Sequence, residues 1–338
     1  MKTIVLEKPG TFVRTETEGP APPAPGQVQV RVHRIGICGT DLHAFRGRQP
    51  YFNYPRIVGH ELGVEVIQAG QGVDHLSPGD RCAVEPYLNC GACIACRYGK
   101  TNCCTSLQVL GVHVDGGMRE AFTVPADKLH RSDKLTFDQL ALVEMLGIGA
   151  HAVDRASLTP GECVLVIGVG PIGLSVLQFA QVAGAKVIVL ELNAHRMAFC
   201  RRHFHVEHGI DGKGDVLAEL QEYLSGDLPT AVFDVTGNAK SMASAYRYMA
   251  SGGRLVLVGL VQDDITFHDP EFHRREMTLL CSRNARGEDF SRIIRHIENG
   301  QVNTDSWITH RAGFGDMIEQ FPTWLEPEQQ VVKAVVSV

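Results

Sequence analysis

Residues 164–173 read VLVIGVGPIG, an apolar β-like run that passes directly into a turn with the glycine spacing G-x-G-x-x-G. At this spacing the first glycine makes the tight turn and the second lets the backbone approach a pyrophosphate. The third lets the following helix pack closely on the strand, and the N-terminus of that helix faces the phosphates. The turn therefore predicts a dinucleotide site. Its expected cofactor-contacting residues are Gly168, Gly170, Pro171, Ile172 and Gly173.

Apolar runs such as KVIVLEL, TAVFDVTG and RLVLVGL alternate with helical segments such as LSVLQFAQVAGA between about residues 147 and 289. This alternation predicts βαβ units around a parallel sheet, an α/β fold of the doubly wound kind. Glu191 lies near the end of KVIVLEL, 18 residues after Gly173. An acidic side chain at this position accepts hydrogen bonds from the ribose hydroxyls of NAD and repels the 2′-phosphate of NADP.

NAD is therefore the expected cofactor. Arg196, five residues beyond Glu191, stands where a cation would soften the repulsion of a phosphate. The alternative is a glycine-rich turn in an α/β fold that binds no nucleotide, but the turn, the strand and the acidic residue fit the motif together.

Five of the ten cysteines fall between residues 90 and 104, in the run NCGACIACRYGKTNCC. Four thiolates within fifteen residues can surround a tetrahedral Zn²⁺, and a closed shell of four cysteines leaves no position for a substrate. The spacing predicts a structural zinc held by Cys90, Cys93, Cys96 and Cys104, with Cys103 competing for the fourth position. The alternative is a cluster of free thiols in a reducing compartment.

The segments on either side of the α/β region have a different texture. Before about residue 145 the chain is rich in short β-like runs such as VQVRVHRIGI, GVEVIQAG and RCAVEPY, and the run GPAPPAPG predicts a loop. After residue 290 the sequence predicts a helix over DFSRIIRHIENG, a further helix around Gly315 to Leu325, and a final strand in VVKAVVSV. A chain of 338 residues is too long for one ordinary domain.

The charge balance excludes some function classes. Lysine plus arginine total 32 and aspartate plus glutamate total 38, a formal net charge of −6 that offers no footprint for nucleic acid or an anionic membrane. Residues 163–185 carry no charge, but their glycines, proline and glutamines favour a strand, a turn and a buried helix over a membrane span. The N-terminal residues lack a signal-peptide core, so a cytoplasmic protein is expected.

Three further segments carry metal-binding residue types: IGICGTDLH at 35–43, GHE at 59–61 and VEML at 143–146. Combined with the cysteine cluster and VGPIG, they make the chain resemble zinc-dependent medium-chain dehydrogenases/reductases, the alcohol and polyol dehydrogenase superfamily. Within it, the chain is more similar to sorbitol, threonine and sugar-acid dehydrogenases than to ethanol dehydrogenases. The segment around Glu144 is similar to the EPL-type segment of polyol enzymes, with Met145 in place of the proline. Ethanol-oxidising members carry a cysteine ligand in this region.

The resemblance implies a β-rich, GroES-like catalytic domain over residues 1–146 and 290–338, with the structural zinc lobe at about 86–108. A Rossmann domain with a doubly wound parallel sheet would occupy residues 147–289. Members are commonly homodimers or homotetramers, and the apolar strands RLVLVGL and MTLLCS could supply an edge for subunit pairing.

The resemblance also implies a second, catalytic zinc. Cys38 and His60 would bind it directly, while Glu61 and Glu144 would complete the shell or alternate in it. Cysteine, histidine and carboxylate are donors that suit Zn²⁺, and Asp41 would orient His60.

A proton relay is implied by the same resemblance. The proton of the substrate hydroxyl would leave through the Thr40 hydroxyl and then through His43, because a hydroxyl both donates and accepts hydrogen bonds. The alternatives are that Thr40 is a turn residue and that His43 is a surface histidine.

The stretches LGVHVDGGMREAFTVP and CSRNARGEDF resemble the RspB-type group, whose members oxidise hexonates such as L-gulonate or L-galactonate at carbon 5. A hexonate needs a cation, so Arg283 is the expected carboxylate anchor, Asn284 would hold a substrate hydroxyl, and Arg286 is the alternative anchor. The alternative is that Arg283 contacts the cofactor or pairs with a glutamate of the zinc shell.

The sequence is also compatible with other functions. Within the enzyme class these are a sorbitol-type polyol, threonine or general alcohol dehydrogenase. A catalytically silent protein that binds nucleotide and zinc is a hypothesis from a different class. A zinc-free quinone reductase is disfavoured because such enzymes lack the four-cysteine lobe.

Overall fold

The computed structural model describes residues 1–50 and 52–338. The strands are β1 Lys2–Lys8, β2 Thr11–Glu16, β3 Gln27–Ile37, β4 Glu61–Ala69, β5 Arg81–Val84, β6 Tyr87–Leu88, β7 Gln108–Val109, β8 Ala121–Pro125, β9 Leu129–Arg131, β10 Cys163–Ile167, β11 Lys186–Glu191, β12 His208–Asp211, β13 Ala231–Asp234, β14 Arg254–Leu257, β15 Thr278–Cys281, β16 Ile308–Gly313 and β17 Lys333–Ser337. The α-helices are α1 Gly39–Phe45, α2 Ile94–Arg97, α3 Phe137–Ala156, α4 Pro171–Val182, α5 Ala194–His203, α6 Val216–Tyr223, α7 Ala239–Ser244, α8 Asp269–Arg274, α9 Gly287–Glu298 and α10 Met317–Gln320.

The chain divides into two compact units. The first unit comprises Met1–Met145 and Arg286–Val338, and the second comprises Leu146–Ala285. The domain limits predicted from the sequence lie one and four residues further along the chain. No helix among the described residues is both long and apolar enough to cross a lipid bilayer.

The first unit is built on a seven-stranded sheet in which β3 is the central strand. β3 pairs antiparallel with β4, β8 and β17. Its alternating residues Val28, Val30 and Val32 are fully or almost fully buried, as the period-2 pattern of VQVRVHRIGI predicts. The ladder sets Gly36 opposite Glu61 and Ile37 opposite Ala334. Strands from the N-terminal and the C-terminal parts of the first unit therefore meet at the end of β3.

The second unit contains a six-stranded parallel sheet in the order β12-β11-β10-β13-β14-β15. This is the Rossmann order, so the doubly wound parallel sheet predicted from the alternating pattern is confirmed. The strands next to the centre are apolar and buried on both faces, because helices cover a parallel sheet on both sides. β15 forms one edge of this sheet.

The helix expected around Gly315 to Leu325 is only partly present. The α-helical turn covers Met317–Gln320, and residues Phe321–Leu325 form a 3₁₀ turn instead. The reason is Pro322, which has no backbone N–H to donate within an α-helix.

Candidate active site and metal centres

The first metal-ligand candidate, Cys38, follows β3 and caps the N-terminus of α1. Its backbone N–H donates to Oδ2 of Asp41 over 2.9 Å. The other carboxylate oxygen, Oδ1 of Asp41, lies 3.7 Å from Nδ1 of His60. One buried carboxylate thus faces both Cys38 and His60, and burial raises the pKa of this Asp41 carboxyl above its usual value.

Cys38, His60 and Glu61 form a compact cluster whose donor atoms all lie within 4.8 Å of one another. His60 is 5% exposed and Glu61 is fully buried. Burial alone would lower the pKa of the His60 imidazole, but Asp41 and Cys38 hold it well above its usual value.

The donor set fits a zinc ion. Thiolate, imidazole and carboxylate are the ligand types that Zn²⁺ takes in proteins. Nδ1 of His60 and Oδ1 of Asp41 are both buried and have no hydrogen-bond partner among the described residues. A buried imidazole that faces a carboxylate with one nitrogen and a thiol with the other is the arrangement expected of a metal-binding histidine.

Lys333 was not anticipated from the sequence, yet it is part of this centre. Its Nζ donates to both carboxylate oxygens of Glu61 at 2.7 Å and to the carbonyl of Ile37 at 3.1 Å. Burial alone would lower the pKa of the Lys333 ammonium, but the Glu61 carboxylate turns the net direction upward. The available signal was a single lysine inside the apolar final strand VVKAVVSV.

Gly36 provides the space for the Glu61 side chain. A Cβ atom at residue 36 would lie 2.1 Å from Oε2 of Glu61. Any larger residue would displace the carboxylate from the cluster.

Glu144 lies in the middle of α3 and is 5% exposed, but it is not one of the three clustered donors. The phenol of Tyr87 donates a short hydrogen bond to its Oε1. Burial raises the pKa of the Glu144 carboxyl, His60 opposes this shift, and Glu61 adds to it. Met145 has a backbone N–H that proline lacks, and α3 continues unbroken past Glu144 to Ala156.

Thr40 and His43, the predicted relay, both lie on α1 and are three residues apart, so they share a face of that helix. Thr40 is half-buried and His43 is exposed. The pKa of the His43 imidazole lies below its usual value because of partial desolvation and the nearby cations of Arg46 and Arg48.

Four cysteines form the second cluster. Cys90, Cys93, Cys96 and Cys104 place their sulfur atoms within 4.8 Å of one another. Backbone N–H groups point at the sulfurs, for example from Cys90 to Sγ of Cys104 over 3.3 Å. Cys103 is exposed and stands outside this cluster, so the geometry favours Cys104 as the fourth ligand.

Local backbone hydrogen bonds lower the pKa of the Cys90 and Cys93 thiols, whereas burial and the neighbouring Cys93 raise the pKa of the Cys96 thiol to about 11. Backbone groups of Cys96 and Thr105 lower the pKa of the Cys93 thiol to about 5. The thiolate is the form that binds a metal. An all-sulfur set of four fits a structural Zn²⁺.

The dinucleotide motif of the second unit has the geometry that its glycines require. Gly168 has a φ of +88°, which is costly for other residues. A Cβ on Gly173 would lie 1.9 Å from the carbonyl oxygen of Gly168, whereas the space next to Gly170 is open. α4 begins at Pro171, so its N-terminus follows the turn directly.

Glu191 ends β11 next to this turn. Its Oε2 accepts from the N–H of Val169 over 2.9 Å, and its Oε1 accepts from Leu192 and Asn193 over 2.8 and 2.9 Å. The carboxylate is therefore fixed against the glycine turn. Arg196 is exposed on α5, and its guanidinium passes close to Gly170.

The three candidate substrate residues follow β15. Arg283 is exposed, and Asn284 has a φ of +53° with a buried side-chain nitrogen that lacks a hydrogen-bond partner among the described residues. Arg286 precedes α9 and pairs with Glu288 over 2.7 Å.

Comparison with known proteins gives two family matches along the chain. Residues 24–134 match the alcohol dehydrogenase GroES-like domain, and residues 171–299 match the zinc-binding dehydrogenase family. L-Galactonate-5-dehydrogenase of Escherichia coli K12 is 36% identical to this chain. The alignment covers 100% of this chain and 99% of that relative. The 2-dehydro-3-deoxy-L-galactonate 5-dehydrogenase of Pseudoalteromonas atlantica is 31% identical, with 93% of this chain and 92% of the relative covered.

A solved structure shares the fold over the full length. RspB from Escherichia coli CFT073, described as a complex with NADH, has a TM-score of 0.93 and 30% identity, covering 100% of this chain and 99% of that chain. Together with the two metal clusters and the glycine turn, these matches show that the chain belongs to the zinc-binding alcohol dehydrogenase family and is a dehydrogenase.

Proposed function

We propose that this dehydrogenase oxidises a secondary hydroxyl of a sugar acid, a hexonate attacked at carbon 5, with NAD as the hydride acceptor. The observation that carries the proposal is the largely buried cluster of Cys38, His60 and Glu61, in a chain with two relatives that are named as dehydrogenases of L-galactonate and of 2-dehydro-3-deoxy-L-galactonate. When bound, zinc supplies the Lewis acidity that lowers the pKa of a hydroxyl group, and NAD supplies the acceptor.

The residues of α1 would carry the proton away. Thr40 can accept a proton and donate its own, and His43 on the same helix face is exposed to water. Because its pKa is lowered, the His43 imidazole is neutral near pH 7 and can accept that proton.

The two glutamates of the centre would have different tasks. Glu61 is held by two hydrogen bonds from Lys333, which compensate its charge. Glu144 instead accepts a hydrogen bond from the uncharged phenol of Tyr87. This difference supports Glu144 as the exchangeable carboxylate ligand, with Glu61 restrained by Lys333.

The substrate assignment rests on charge. A hexonate carries a carboxylate, and the arginine fork matches a carboxylate in two parallel hydrogen bonds. Arg283 lies two residues after the end of β15, and the C-terminal ends of strands in such sheets face the ligand crevice. Asn284, strained and with an unpartnered amide nitrogen, is a suitable donor for a substrate hydroxyl.

We further propose a homodimer formed through β15. This edge strand has the apolar side chain of Leu279 exposed at 39%, while Leu280 is half-buried. An exposed apolar edge is a template for pairing with a second copy, and a two-fold axis would join the two edges. A cytoplasmic location and the absence of nucleic-acid partners stay predictions.

Substitution of the two cysteine sets should have different effects. Cys93→Ser should remove one zinc per chain and lower the melting temperature. Cys38→Ser should remove the other zinc and reduce turnover about a thousandfold, because Lewis-acid stabilisation is worth several kcal/mol. Metal analysis and thermal unfolding measure both effects. Cys103→Ser is the control and should change neither. One zinc or fewer in the fully loaded wild type would contradict this prediction.

Cofactor choice should depend on Glu191. We expect kcat/KM to favour NAD over NADP by roughly 10²-fold, since a carboxylate near a phosphate costs a few kcal/mol. Glu191→Ala should reduce this ratio, and Arg196→Ala should increase it because the softening cation is lost. The reading of Glu191 is wrong if the wild type uses NADP as well as NAD.

Loss of Arg283 should discriminate between charged and neutral substrates. Arg283→Ala should lower kcat/KM for an aldonate by the equivalent of about 2–4 kcal/mol, as loss of a desolvated charge pair does. The matching neutral polyol should lose much less. Steady-state assays of NADH formation measure both. Equal losses, or a wild type that prefers the polyol, would return the substrate to a sorbitol-type alcohol.

The dimer should depend on β15. Leu279→Lys places a charge in the proposed interface and should shift the molar mass in light scattering from dimer to monomer. Leu217→Lys is a matched control, because Leu217 is also a leucine of the second unit and is 38% exposed on α6. An unchanged mass for Leu279→Lys would remove the edge-pairing model.

A further inference from the structure

Tyr87 is a residue that neither the sequence motifs nor the family comparison single out, yet its hydroxyl lies at the active centre. The side chain is 3% exposed and donates a hydrogen bond to Oε1 of Glu144. A buried carboxylate needs such a partner, because an unpaired polar group in the interior is costly. Tyr87 is thus the hydrogen-bond partner of Oε1 of Glu144.

The ring of Tyr87 is itself held firmly. Its backbone belongs to β6 and pairs with Val109 of β7. Its ring meets the buried ring of Phe290 edge-on, with centroids 6.2 Å apart at 77°. The phenol therefore has little freedom to follow a moving carboxylate.

A buried lysine clamps the segment on both sides of Tyr87. Nζ of Lys128 donates to Oε1 of Glu85 and to Oδ1 of Asn89, each over 2.8 Å. Asn89 in turn lies with its Nδ2 3.7 Å from Sγ of Cys96 in the four-cysteine lobe. These hydrogen bonds fix residues 85–89, with Tyr87 in the middle of the segment. The backbone of Tyr87 is thereby tied to the four-cysteine lobe.

We propose that Tyr87 is the positioning residue of Glu144: it commits Oε1 to a hydrogen bond and thereby leaves Oε2 to face the metal. This inference rests on the proposed ligand role of Glu144. A glutamate side chain has three rotatable bonds, so without the phenol the carboxylate would sample several orientations near Glu61 and His60. Mutation of residues that orient a metal ligand in this way typically lowers metal affinity or activity 10- to 100-fold.

The test uses the full-length enzyme with Co²⁺ exchanged into the catalytic site and zinc retained in the four-cysteine lobe. Tyr87→Phe should shift the visible absorption bands of the cobalt and speed its loss to a chelator by about tenfold. Tyr54→Phe is the matched control. It removes the hydroxyl of a half-buried tyrosine, which donates to the backbone carbonyl of Ala44, and should leave the cobalt spectrum unchanged.

A double-mutant cycle distinguishes the positioning role of Tyr87 from the proposed ligand role of Glu144, on which it rests. In a Glu144→Gln background, Tyr87→Phe should have no further effect on cobalt loss, because residues that act through one another are not additive. If Glu144→Gln alone leaves spectrum and affinity unchanged, the ligand role of Glu144 fails. If Glu144→Gln weakens cobalt binding but Tyr87→Phe does not, or if the two effects add, the positioning role of Tyr87 is overturned.

Discussion

A buried ion pair between Lys333 and Glu61 joins the end of the chain to the metal centre. The two residues are 272 positions apart, and their side chains are 3% and 0% exposed. Neither charge could be buried alone without a large desolvation cost. Their meeting requires β17 to pair with β3 and β3 to pair with β4. The same two ladders bring Cys38 beside Glu61, so the first unit and the catalytic cluster form together.

The centre is further defined by small constraints on each ligand. Asp41 faces both Cys38 and His60, and Gly36 leaves the space that the Glu61 carboxylate fills. Asp41 thus faces two candidate ligands, and Lys333 of β17 holds the third, Glu61, through two hydrogen bonds. Such fixed surroundings keep ligands in one geometry before a metal arrives, which is what a catalytic metal site needs.

The dinucleotide unit follows a different logic, because its motif is local. The turn after β10, the open space at Gly170 and the start of α4 lie within ten residues of one another. Their spacing in the sequence was enough to predict the strand–turn–helix unit, while the alternation of apolar runs and helical segments predicted the parallel sheet. The four-cysteine lobe is likewise local, although only its folded form separates Cys104 from the neighbouring Cys103. Around Pro322 the predicted α-helix was wrong, since the chain continues there as a 3₁₀ turn.

The sequence by itself determined the fold class, the family and the residue types of both metal clusters, since each is written in short segments whose spacing has a direct geometric meaning. The tertiary structure alone decided which side chains surround those residues. Lys333 and Tyr87 reach Glu61 and Glu144 from strands far away in the chain. A lone lysine in an apolar strand or a tyrosine after a proline has no periodic signal. Their roles depend on burial, where every charge and hydroxyl must find a partner, and only the packed chain shows which partner that is.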